Sequence, residues 1–557
     1  MARTPLFRTL RRSFRLARVA DRSRRPLDDV IGQAAAGPAM SRREFLAATG
    51  AAAAALPLAG CASLPLVGGR RTPPQVIVVG AGLAGLTAAW RLRQAGVEPL
   101  VVEAQDRVGG RCYSLRGHYP DGQVAELGGE LIDTGHTRIQ GLAEEFGIEL
   151  EDLGLDAPGL DDQIWHFEGQ RYTERQVIEA FRPIAARIVA DLASIGGDGD
   201  VSYRTPLGAE RLDGLTIDQW LDAAGADGWF RTLLEVAYTT EYGLETTEQS
   251  ALNLLLLISP DLDSFRIFGE SDERFHVRGG NDRIVQALAS RVRRQIQMAT
   301  VLEAVRLRGD GQIELSVREG TKAATLAAPH VILAVPFTLL REVHLDLELP
   351  PAKRRAIAQL GYGTNAKLMM GFDERVWRTG SNSNGSVLTD LPFQCTWETS
   401  RGQQGPSGIL TNFTGGNQGV AVGEQQAAEQ ALRIIGELEQ VFPRLANARE
   451  SALDVRFHWP SHRWTKGSYA CYRPGQWTTI HGAEAERAGN LLFAGEHCSS
   501  EAQGFLEGAV ETGEAAAREV LADLRLPVPQ PLTASRPKGT GRLAWLRRHQ
   551  AMHHYNV

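Results

Sequence analysis

Cysteine is scarce in this chain, and long apolar runs are absent. Only 5 of the 557 residues are Cys, an odd number too small for a disulfide framework. The chain also lacks a Cys-x-x-Cys pair, and His553 and His554 have no supporting ligands, so no metal site is expected. The apolar stretch 45–60 is shorter than the ~20 residues that span a bilayer and contains Pro57. At 43% apolar and 23% charged residues, the composition is typical of a globular protein.

Basic residues are also scarce once the N-terminus is set aside. Residues 1–60 hold 11 arginines against 4 acidic residues. The rest of the chain has 49 basic and 62 acidic side chains, a net charge of −13. Because binding to phosphate backbones needs a basic face, this balance predicts no nucleic-acid partner.

Two motifs near the N-terminus predict export. Arg42 and Arg43, followed by Phe-Leu and an Ala-rich run, resemble the twin-arginine signal, which carries folded proteins across the bacterial inner membrane. The sequence Leu-Ala-Gly-Cys61 resembles a lipobox, in which the Cys becomes lipidated. We therefore expect the export machinery for folded proteins as a partner, and a periplasmic or cell-surface location with a lipid on Cys61 as the membrane attachment. An ordinary Arg-containing helix start is the alternative interpretation of residues 40–60.

The two ends of the chain differ from its middle in composition. Residues 1–39 contain nine arginines without periodicity. They are either a basic extension of the signal or sequence upstream of the true start at Met40, and we favour the second interpretation. Residues 61–74 form a linker with Gly, Arg and Pro, and residues 526–557 form a tail that is first Pro-rich and then basic.

A strand–helix–strand unit opens the folded part of the sequence. Residues 75–79 are β-branched and bounded by glycine, residues 83–95 have helical character, and residues 97–103 return to strand. Residues 133–269 are mostly helical in periodicity. Residues 331–335 and 490–494 are expected as further strands, and 508–524 as a helix.

A glycine fingerprint joins the first strand to the helix. Gly80 permits the tight turn, Gly82 lets backbone N–H groups approach a pyrophosphate at the positive end of the helix, and Gly85 lets helix and strand pack closely. Glu103, at the end of the second strand, is placed to accept hydrogen bonds from ribose hydroxyls. This order of elements predicts a dinucleotide cofactor: a strand, the glycine turn, a helix, a second strand and then an acidic residue.

The motifs that follow resemble a known family. Arg107-Val-Gly109-Gly110-Arg111 and Leu-Gly128-Gly129-Glu130 resemble the flavin-dependent amine oxidases, which include monoamine, polyamine and L-amino acid oxidases. In that family the Arg-x-Gly-Gly-Arg turn wraps the FAD pyrophosphate. The resemblance extends from Val76 to about Leu524, and it implies FAD as the cofactor. Besides the fingerprint, the cofactor-binding residues that it implies are Arg107, Gly109, Gly110, Arg111, Gly128, Gly129, Glu130, Val301, Trp464, Gly495, Glu496 and Leu506.

Three further positions match catalytic roles in that family. Lys367 resembles the lysine that holds a water against flavin N5, and Tyr469 and Phe505 resemble the two walls of the aromatic cage in front of the flavin. Two facing rings suit an amine nitrogen through their negative faces. Covalently flavinylated monoamine oxidases carry a Cys before that Tyr, whereas Ser468 stands here, so we expect FAD to bind without a covalent link.

The substrate is less well defined by sequence. No Arg matches the cation that binds the substrate carboxylate in L-amino acid oxidases. Glu130 near the flavin would suit a cationic amine, although it could equally hydrogen-bond the cofactor or a backbone amide. The stretch 238–245, with two tyrosines and two acids, is expected at the entrance. Arg274, Arg278 and Arg283 remain open as carboxylate partners.

These observations lead to an α/β fold: a three-layer, Rossmann-like FAD-binding domain with an inserted substrate domain of mixed α+β structure. The FAD-binding domain is expected from three separated stretches and the substrate domain from two. Their boundaries are 75–136, 270–340 and 455–525 for the first, and 137–269 and 341–454 for the second.

The expected reaction is oxidation of an amine by O2 and water to an aldehyde, ammonia and hydrogen peroxide. An L-amino acid oxidase that gives a 2-oxo acid is the first alternative. A desaturase or porphyrinogen oxidase is disfavoured because Lys367 and the Tyr469 loop match amine oxidases. A cell-surface flavoprotein without turnover is an alternative of another class. A homodimer is compatible with the resemblance, and the sequence does not decide the oligomeric state.

Overall fold

The computed structural model describes residues 74–156, 158–196, 200–263, 265–424 and 426–529. The expected export signal, the lipobox and the tail from residue 530 onward lie outside these ranges. None of the helices within them is long and apolar enough to cross a membrane.

A five-stranded parallel sheet forms the middle layer of the nucleotide-binding part. Val76 and Val78 pack against one apolar core, and Ile77 and Val79 pack against another on the opposite face. The strand Val76–Val79 is therefore apolar at every position, because both faces of a parallel sheet are covered. The strands, in spatial order, are Leu491–Phe493, His330–Leu333, Val76–Val79, Leu100–Val102 and Ile296–Gln297.

Two different layers cover this sheet. The helices Leu83–Gln94, Asp282–Arg291 and Leu506–Asp523 contribute to the core on one face. A four-stranded sheet contributes to the core on the other face, together with the helices Phe337–Leu340 and Pro351–Gln359. Its strands, in spatial order, are Lys322–Ala328, Ile313–Glu319, Thr300–Leu307 and His344–Asp346. The expected three-layer architecture is confirmed, as is the inserted mixed α+β substrate region described next.

A seven-stranded mixed sheet forms the second large sheet. Neighbouring strands are antiparallel except for Val387–Thr389 and Ile164–Phe167, which pair in parallel. The helix Ala427–Leu438 packs on an apolar core that includes Leu368 and Met370 of this sheet. The strands, in spatial order, are Val455–His458, Ala366–Phe372, Gly408–Thr414, Cys395–Glu398, Val387–Thr389, Ile164–Phe167 and Gln170–Tyr172.

The expectation of a mostly helical segment over 133–269 is partly wrong. The strands Ile164–Phe167 and Gln170–Tyr172 interrupt it and extend the seven-stranded sheet. All four residues of Ile164–Phe167 are buried, so the strand has no alternation that separates it from a buried helix. The helices of this segment are Thr137–Glu145, Glu174–Ser194, Glu210–Asp213, Ile217–Ala224, Gly228–Tyr242 and Ala251–Leu255.

Capping residues explain where several of these helices begin and end. Thr173 and Thr216 each form a capping box with the Gln three residues later. The helix Gly228–Tyr242 ends at Gly243, which has a φ of 76°. The remaining strands form the ribbons Ser114–Leu115 with Ala125–Glu126 and Leu150–Asp152 with Phe275–Val277, and the remaining α-helices are Val376–Ser381, Gly416–Ala421 and Gln476–Thr479.

Candidate functional site

A cavity of about 840 Å³ reaches from the carboxyl ends of the parallel strands to one face of the seven-stranded sheet. Its volume lies within the range of small-molecule and cofactor sites. Val79 and Val102 line it at the nucleotide-binding end, and Lys367 and Phe413 line it at the other. The cavity therefore joins the two parts of the fold that the sequence assigned to cofactor and substrate.

The glycine fingerprint shapes the first end of this cavity. Gly80 has a φ of 100°, and a β-carbon there would lie 2.6 Å from the Ala334 carbonyl oxygen. A β-carbon on Gly85 would lie 2.0 Å from the Gly80 carbonyl oxygen, which explains the close packing of helix on strand. Gly82, by contrast, faces open space, so its missing side chain keeps the cavity clear at the helix start.

Backbone groups at this end suit an anionic cofactor. Gly82, Leu83 and Ala84 line the cavity at the N-terminus of the helix Leu83–Gln94, whose first-turn N–H groups have no intrahelical partners. Leu506 lines it at the start of a second long helix. The first helix N-terminus suits a pyrophosphate, and the start of the second helix presents further backbone N–H groups to the same cavity, where the resemblance implies the O2 edge of the flavin.

Glu103 lies in this part of the cavity wall. Its carboxylate accepts the backbone N–H groups of Ala81, at 2.7 Å, and Gln105, at 2.9 Å. Burial raises the pKa of Glu103, and those two hydrogen bonds oppose the rise. Each oxygen keeps a lone pair, so the geometry fits acceptance of ribose hydroxyls.

The two arginines of the Arg-x-Gly-Gly-Arg turn lie in different surroundings. Arg107 is not part of the cavity wall: its guanidinium donates to the Gly110 carbonyl oxygen and lies 4.0 Å from the centre of the Tyr113 ring. Arg111 lines the cavity and pairs with Glu496 at 2.7 Å. Arg107 therefore braces the turn, while Arg111 carries the positive charge that faces the cavity.

Most of the predicted site residues come together around this one cavity. Besides Arg107, only Gly85 of that set is not in the wall, and its packing against Gly80 agrees with the role predicted for it. The predicted residues that line the cavity are Gly80, Gly82, Glu103, Gly109, Gly110, Arg111, Gly128, Gly129, Glu130, Val301, Lys367, Trp464, Tyr469, Gly495, Glu496, Phe505 and Leu506.

Lys367 and Glu130 form a buried ion pair that the sequence did not predict. Lys367 Nζ lies 2.7 Å from Glu130 Oε2 and also donates to the carbonyl oxygens of Glu126 and Gly128. The other oxygen, Glu130 Oε1, accepts from Trp397 Nε1 and Thr399 Oγ1, both at 2.9 Å. Burial raises the pKa of Glu130, but the charge and hydrogen bond of Lys367, together with the hydrogen bond from Trp397 and the charge of His276, outweigh it, and the net shift of the pKa is downward. Glu130 is thus an ionised partner of Lys367.

One row of paired residues crosses the seven-stranded sheet and forms the floor of the cavity. Residues paired directly on neighbouring strands point to the same face. Strands lie about 4.8 Å apart, so Lys367 and Cys395, two strands away, are roughly 10 Å apart. The row is Lys367, Phe413, Cys395, Leu388 and Trp165, and every member lines the cavity.

Tyr469 and Phe505, the two residues predicted to form an aromatic cage, both lie in the cavity wall, and the Phe505 ring contacts the His136 ring. Tyr469 donates its hydroxyl to the Glu241 carbonyl oxygen at 2.6 Å, and burial raises its pKa well above its usual range. A β-carbon on Gly504 would lie 3.7 Å from the Tyr469 ring, so this glycine brings the ring close to the Phe505 segment. The phenol stays neutral at physiological pH.

The arginines considered as partners for a substrate carboxylate form contacts away from the cavity. Arg274 pairs with Asp152, Arg278 pairs with Glu149 and Glu151, and none of the three predicted arginines lines the cavity. This interpretation was wrong because spacing along the chain does not show which way a side chain points. The stretch 238–245, expected at the entrance, lines the cavity only in part. Glu241 and Tyr242 are in the cavity wall, whereas Tyr238 is fully buried in the helical core.

Several residues of the cavity wall were not predicted from the sequence. Cys395 and Trp397 alternate on a strand, and this signal could have placed both on one face. Glu273 carried no such signal, because its position depends on a φ of 45°. Among the described residues, no group of three or more His, Cys, Asp or Glu side chains is arranged to hold a metal ion. Cys498 is buried and free, with its thiol against the Glu484 carbonyl oxygen.

Comparison with known proteins agrees with this site. Residues 83–521 match the family model described as "Flavin containing amine oxidoreductase". Amine oxidase [flavin-containing] A of Sus scrofa is 26% identical over 470 residues, covering 80% of this chain and 84% of the relative. L-amino acid dehydrogenase of Synechocystis sp. is 26% identical over 463 residues, covering 80% of this chain and 94% of the relative.

Solved structures show the same fold. Cyclohexylamine oxidase from Brevibacterium oxydans superposes with a TM-score of 0.71 at 21% identity, covering 82% of this chain and all of that one. Putrescine oxidase bound to putrescine gives a TM-score of 0.70 at 22% identity, covering 81% and 99% of the two chains. The family match spans most of the chain and includes most of the cavity-lining segments described above. The chain therefore belongs to the flavin-containing amine oxidoreductase family, whose cofactor is FAD.

Proposed function

We propose that this enzyme is an FAD-dependent amine oxidase that removes a hydride equivalent from the carbon next to an amine nitrogen. Bound FAD supplies the two-electron acceptor. The amine, O2 and water give an aldehyde, ammonia and hydrogen peroxide. The observation that carries this proposal is the arrangement of the wall: Lys367 and its partner Glu130 at one place, and Tyr469 and Phe505 in the same cavity.

The residues of the substrate end would orient a neutral amine and exclude bulk water. The rings of Tyr469 and Phe505 offer negative faces to the nitrogen. Trp165, Leu388 and Phe413 give the floor an apolar surface on which an alkyl or aryl group can pack. Lys367 donates its three N–H groups to Glu130 and two carbonyl oxygens, so it would orient a water molecule by exchanging one carbonyl contact for the water, and its ammonium has no lone pair to accept a proton from substrate.

The proposal is tested by assaying peroxide formation on a panel of primary amines, polyamines and L-amino acids with the purified yellow protein. We expect peroxide with amines, and we expect Lys367→Met to lower its rate about 100-fold if the lysine orients the reacting water. Phe413→Leu, on the floor beside Lys367, controls for general disturbance of the wall. Flavin that no compound reduces would favour the alternative of a surface flavoprotein without turnover.

An L-amino acid oxidase is the second candidate, and the relative from Synechocystis sp. is its specific support. The substrate end argues against it, because the lysine of the floor is already paired with Glu130 and Arg111 is paired with Glu496. Cavity arginines outside that end are Arg318, which pairs with Glu303, and Arg463, which lies over Trp464. Activity confined to amino acids in the same panel would overturn the first proposal.

We also propose that the protein is exported with its FAD already bound. The twin-arginine and lipobox motifs of the sequence support this proposal. Replacing Arg42 and Arg43 with Lys should retain the protein in the cytoplasm, and Cys61→Ser should release it from the membrane fraction. Fractionation of cells that express each variant tests both points, and unchanged distribution of both variants would contradict the proposal. Purified material run on a calibrated sizing column tests the homodimer.

A further inference from the structure

Glu273 is a cavity-lining acid whose backbone is held in an unusual conformation. Its φ is 45°, a left-handed value that residues with a β-carbon rarely adopt. Such conformations persist where the surroundings impose them, and they concentrate at functional sites. At Glu273 the surroundings are a network of hydrogen bonds around Asp133.

A network around Asp133 fixes the turn that carries Glu273. Asp133 Oδ1 accepts the hydroxyl of Ser271 and the backbone N–H groups of Asp272 and Glu273, at 3.0, 3.2 and 2.8 Å. His136 Nε2 lies 3.3 Å from the other oxygen of Asp133. The turn therefore has a defined position relative to the cavity.

The side chains on either side of Glu273 are engaged away from it. Asp272 accepts the N–H and the hydroxyl of Thr134, and Arg274 forms a two-point ion pair with Asp152. No nitrogen of a described Lys, Arg or His side chain lies within 4.0 Å of the Glu273 carboxylate oxygens, the limit for an ion pair. Glu273 is thus the one acid of this turn that faces the cavity with its charge uncompensated at close range.

Glu273 gives the substrate end of the cavity a carboxylate that no described cation pairs with at close range. Burial raises the pKa of Glu273, the Asp133 carboxylate and, more weakly, Glu130 raise it further, and Arg401 lowers it. Glu241, Glu273 and Cys395 all line the cavity, and after burial the charges of Glu273 and Glu241 raise the pKa of the Cys395 thiol. Lys367 brings no free charge to this end, because it is paired with Glu130.

The spacing of the floor residues indicates how long a substrate would have to be to reach from Lys367 to the region of Cys395. Cys395, near which the Glu273 charge acts, lies roughly 10 Å from Lys367 along the row of paired residues. An aliphatic chain of several methylene groups spans this separation over Phe413, which lies between them on the floor.

We propose that Glu273 binds a second, cationic group of the substrate, so that the preferred substrates are diamines or longer polyamines in which the far nitrogen stays protonated. This inference rests on the proposed amine oxidase function and specifies its substrate class. The near nitrogen must be neutral to lose hydride from its neighbouring carbon, whereas the far one pairs with Glu273. Burial of the far ammonium against an otherwise unpaired carboxylate stabilises both charges.

The test compares straight-chain α,ω-diamines with monoamines of the same length on the FAD-loaded enzyme. We expect kcat/KM for the preferred diamine to exceed that of its monoamine by about 10- to 100-fold, the range of a charged hydrogen bond. Glu273→Gln should remove this advantage and leave the monoamine within about threefold of wild type. Glu235→Gln, on the outer surface of the helix Gly228–Tyr242, is the control for an equal change of charge.

A second variant protects the test against misfolding. If Glu273→Gln fails to retain flavin, Glu273→Asn replaces it, because Asn tolerates the left-handed backbone better than most residues. Equal kcat/KM for diamines and monoamines in the wild type, or an equal loss on both in the variant, would overturn the assignment of Glu273 while leaving amine oxidation intact. Absence of flavin reduction by every amine would instead defeat the proposed function itself.

Discussion

The ammonium of Lys367 lies 2.7 Å from the carboxylate of Glu130, and each residue is more than nine-tenths buried. Removing one member of a buried pair leaves the other charge unpaired, at a cost of about 3–5 kcal/mol. We therefore expect Glu130→Met and Lys367→Met each to lower the free energy of unfolding by about this amount. The double variant Glu130→Met/Lys367→Met should lose less than the sum of the two single changes. Urea unfolding of the four proteins measures this coupling, and additive losses would contradict it.

Alanine substitutions at two glycines of the fingerprint should affect different properties, FAD binding in one case and stability in the other. Gly82→Ala adds a methyl group where the cavity is open and φ is −76°, so the protein should fold with nearly unchanged thermal stability and bind FAD more weakly. Gly85→Ala places a methyl group 2.0 Å from the Gly80 carbonyl oxygen, so the helix must move and the fold itself should be destabilised. Apoprotein melting and FAD titration separate the two effects. Equal melting temperatures for both variants would show that the helix yields freely.

A buried network beside the cavity should make stability depend on pH. Glu484 accepts from Tyr472 and from the Gly482 N–H, and burial raises its pKa from 4.5 to about 7. Between these values the unfolded chain loses this proton while the folded protein keeps it, so the contribution of Glu484 to stability falls as pH rises from about 4.5 to about 7 and is constant above.

Glu484→Gln mimics the protonated acid and should remove this dependence. The gain in stability of the variant over wild type should grow on the order of 3 kcal/mol between pH 4.5 and 7.5. Paired melting curves at several pH values measure the difference, which cancels the titration of the other groups. A constant difference across this range would mean that Glu484 is ionised throughout.

The FAD should leave the protein on denaturation. Ser468 holds the position of the linking Cys, and its hydroxyl donates to Asn365 Oδ1 at 2.6 Å. Two thiols, Cys112 and Cys395, line the cavity, and burial raises the pKa of both, so neither is present as the reactive thiolate. After acid precipitation, we expect the flavin absorbance in the supernatant; colour retained in the pellet would point to a thiol link.

Local signals predicted the nucleotide-binding part well. The strand, the glycines and the helix from Gln75 to Ala95 are neighbours in sequence, and Gly80, with its φ of 100°, and Gly85, packed on the Gly80 carbonyl oxygen, have steric reasons within this segment. The helix expected at 508–524 spans Leu506–Asp523 in the structure. Such features follow from short-range chemistry and need no knowledge of distant segments.

Long-range relationships were not predictable in the same way. Lys367 and Glu130 were each assigned to the site, but 237 residues separate them, and nothing in either local motif indicates that they pair. The strand Ile164–Phe167 lacked alternation because both of its faces are buried. Glu273 reaches the cavity through a strained turn held by Asp133, a tertiary contact across 140 residues.

The central claim is that this cavity holds FAD and removes hydride from the carbon beside an amine nitrogen. Anaerobic stopped-flow mixing of the purified holoenzyme with a primary amine tests it directly. The account predicts bleaching of the flavin absorbance at a rate that falls when the α-carbon carries deuterium, followed by recovery of the absorbance and formation of hydrogen peroxide on admission of O2. A flavin that stays oxidised with every amine of the panel would contradict it.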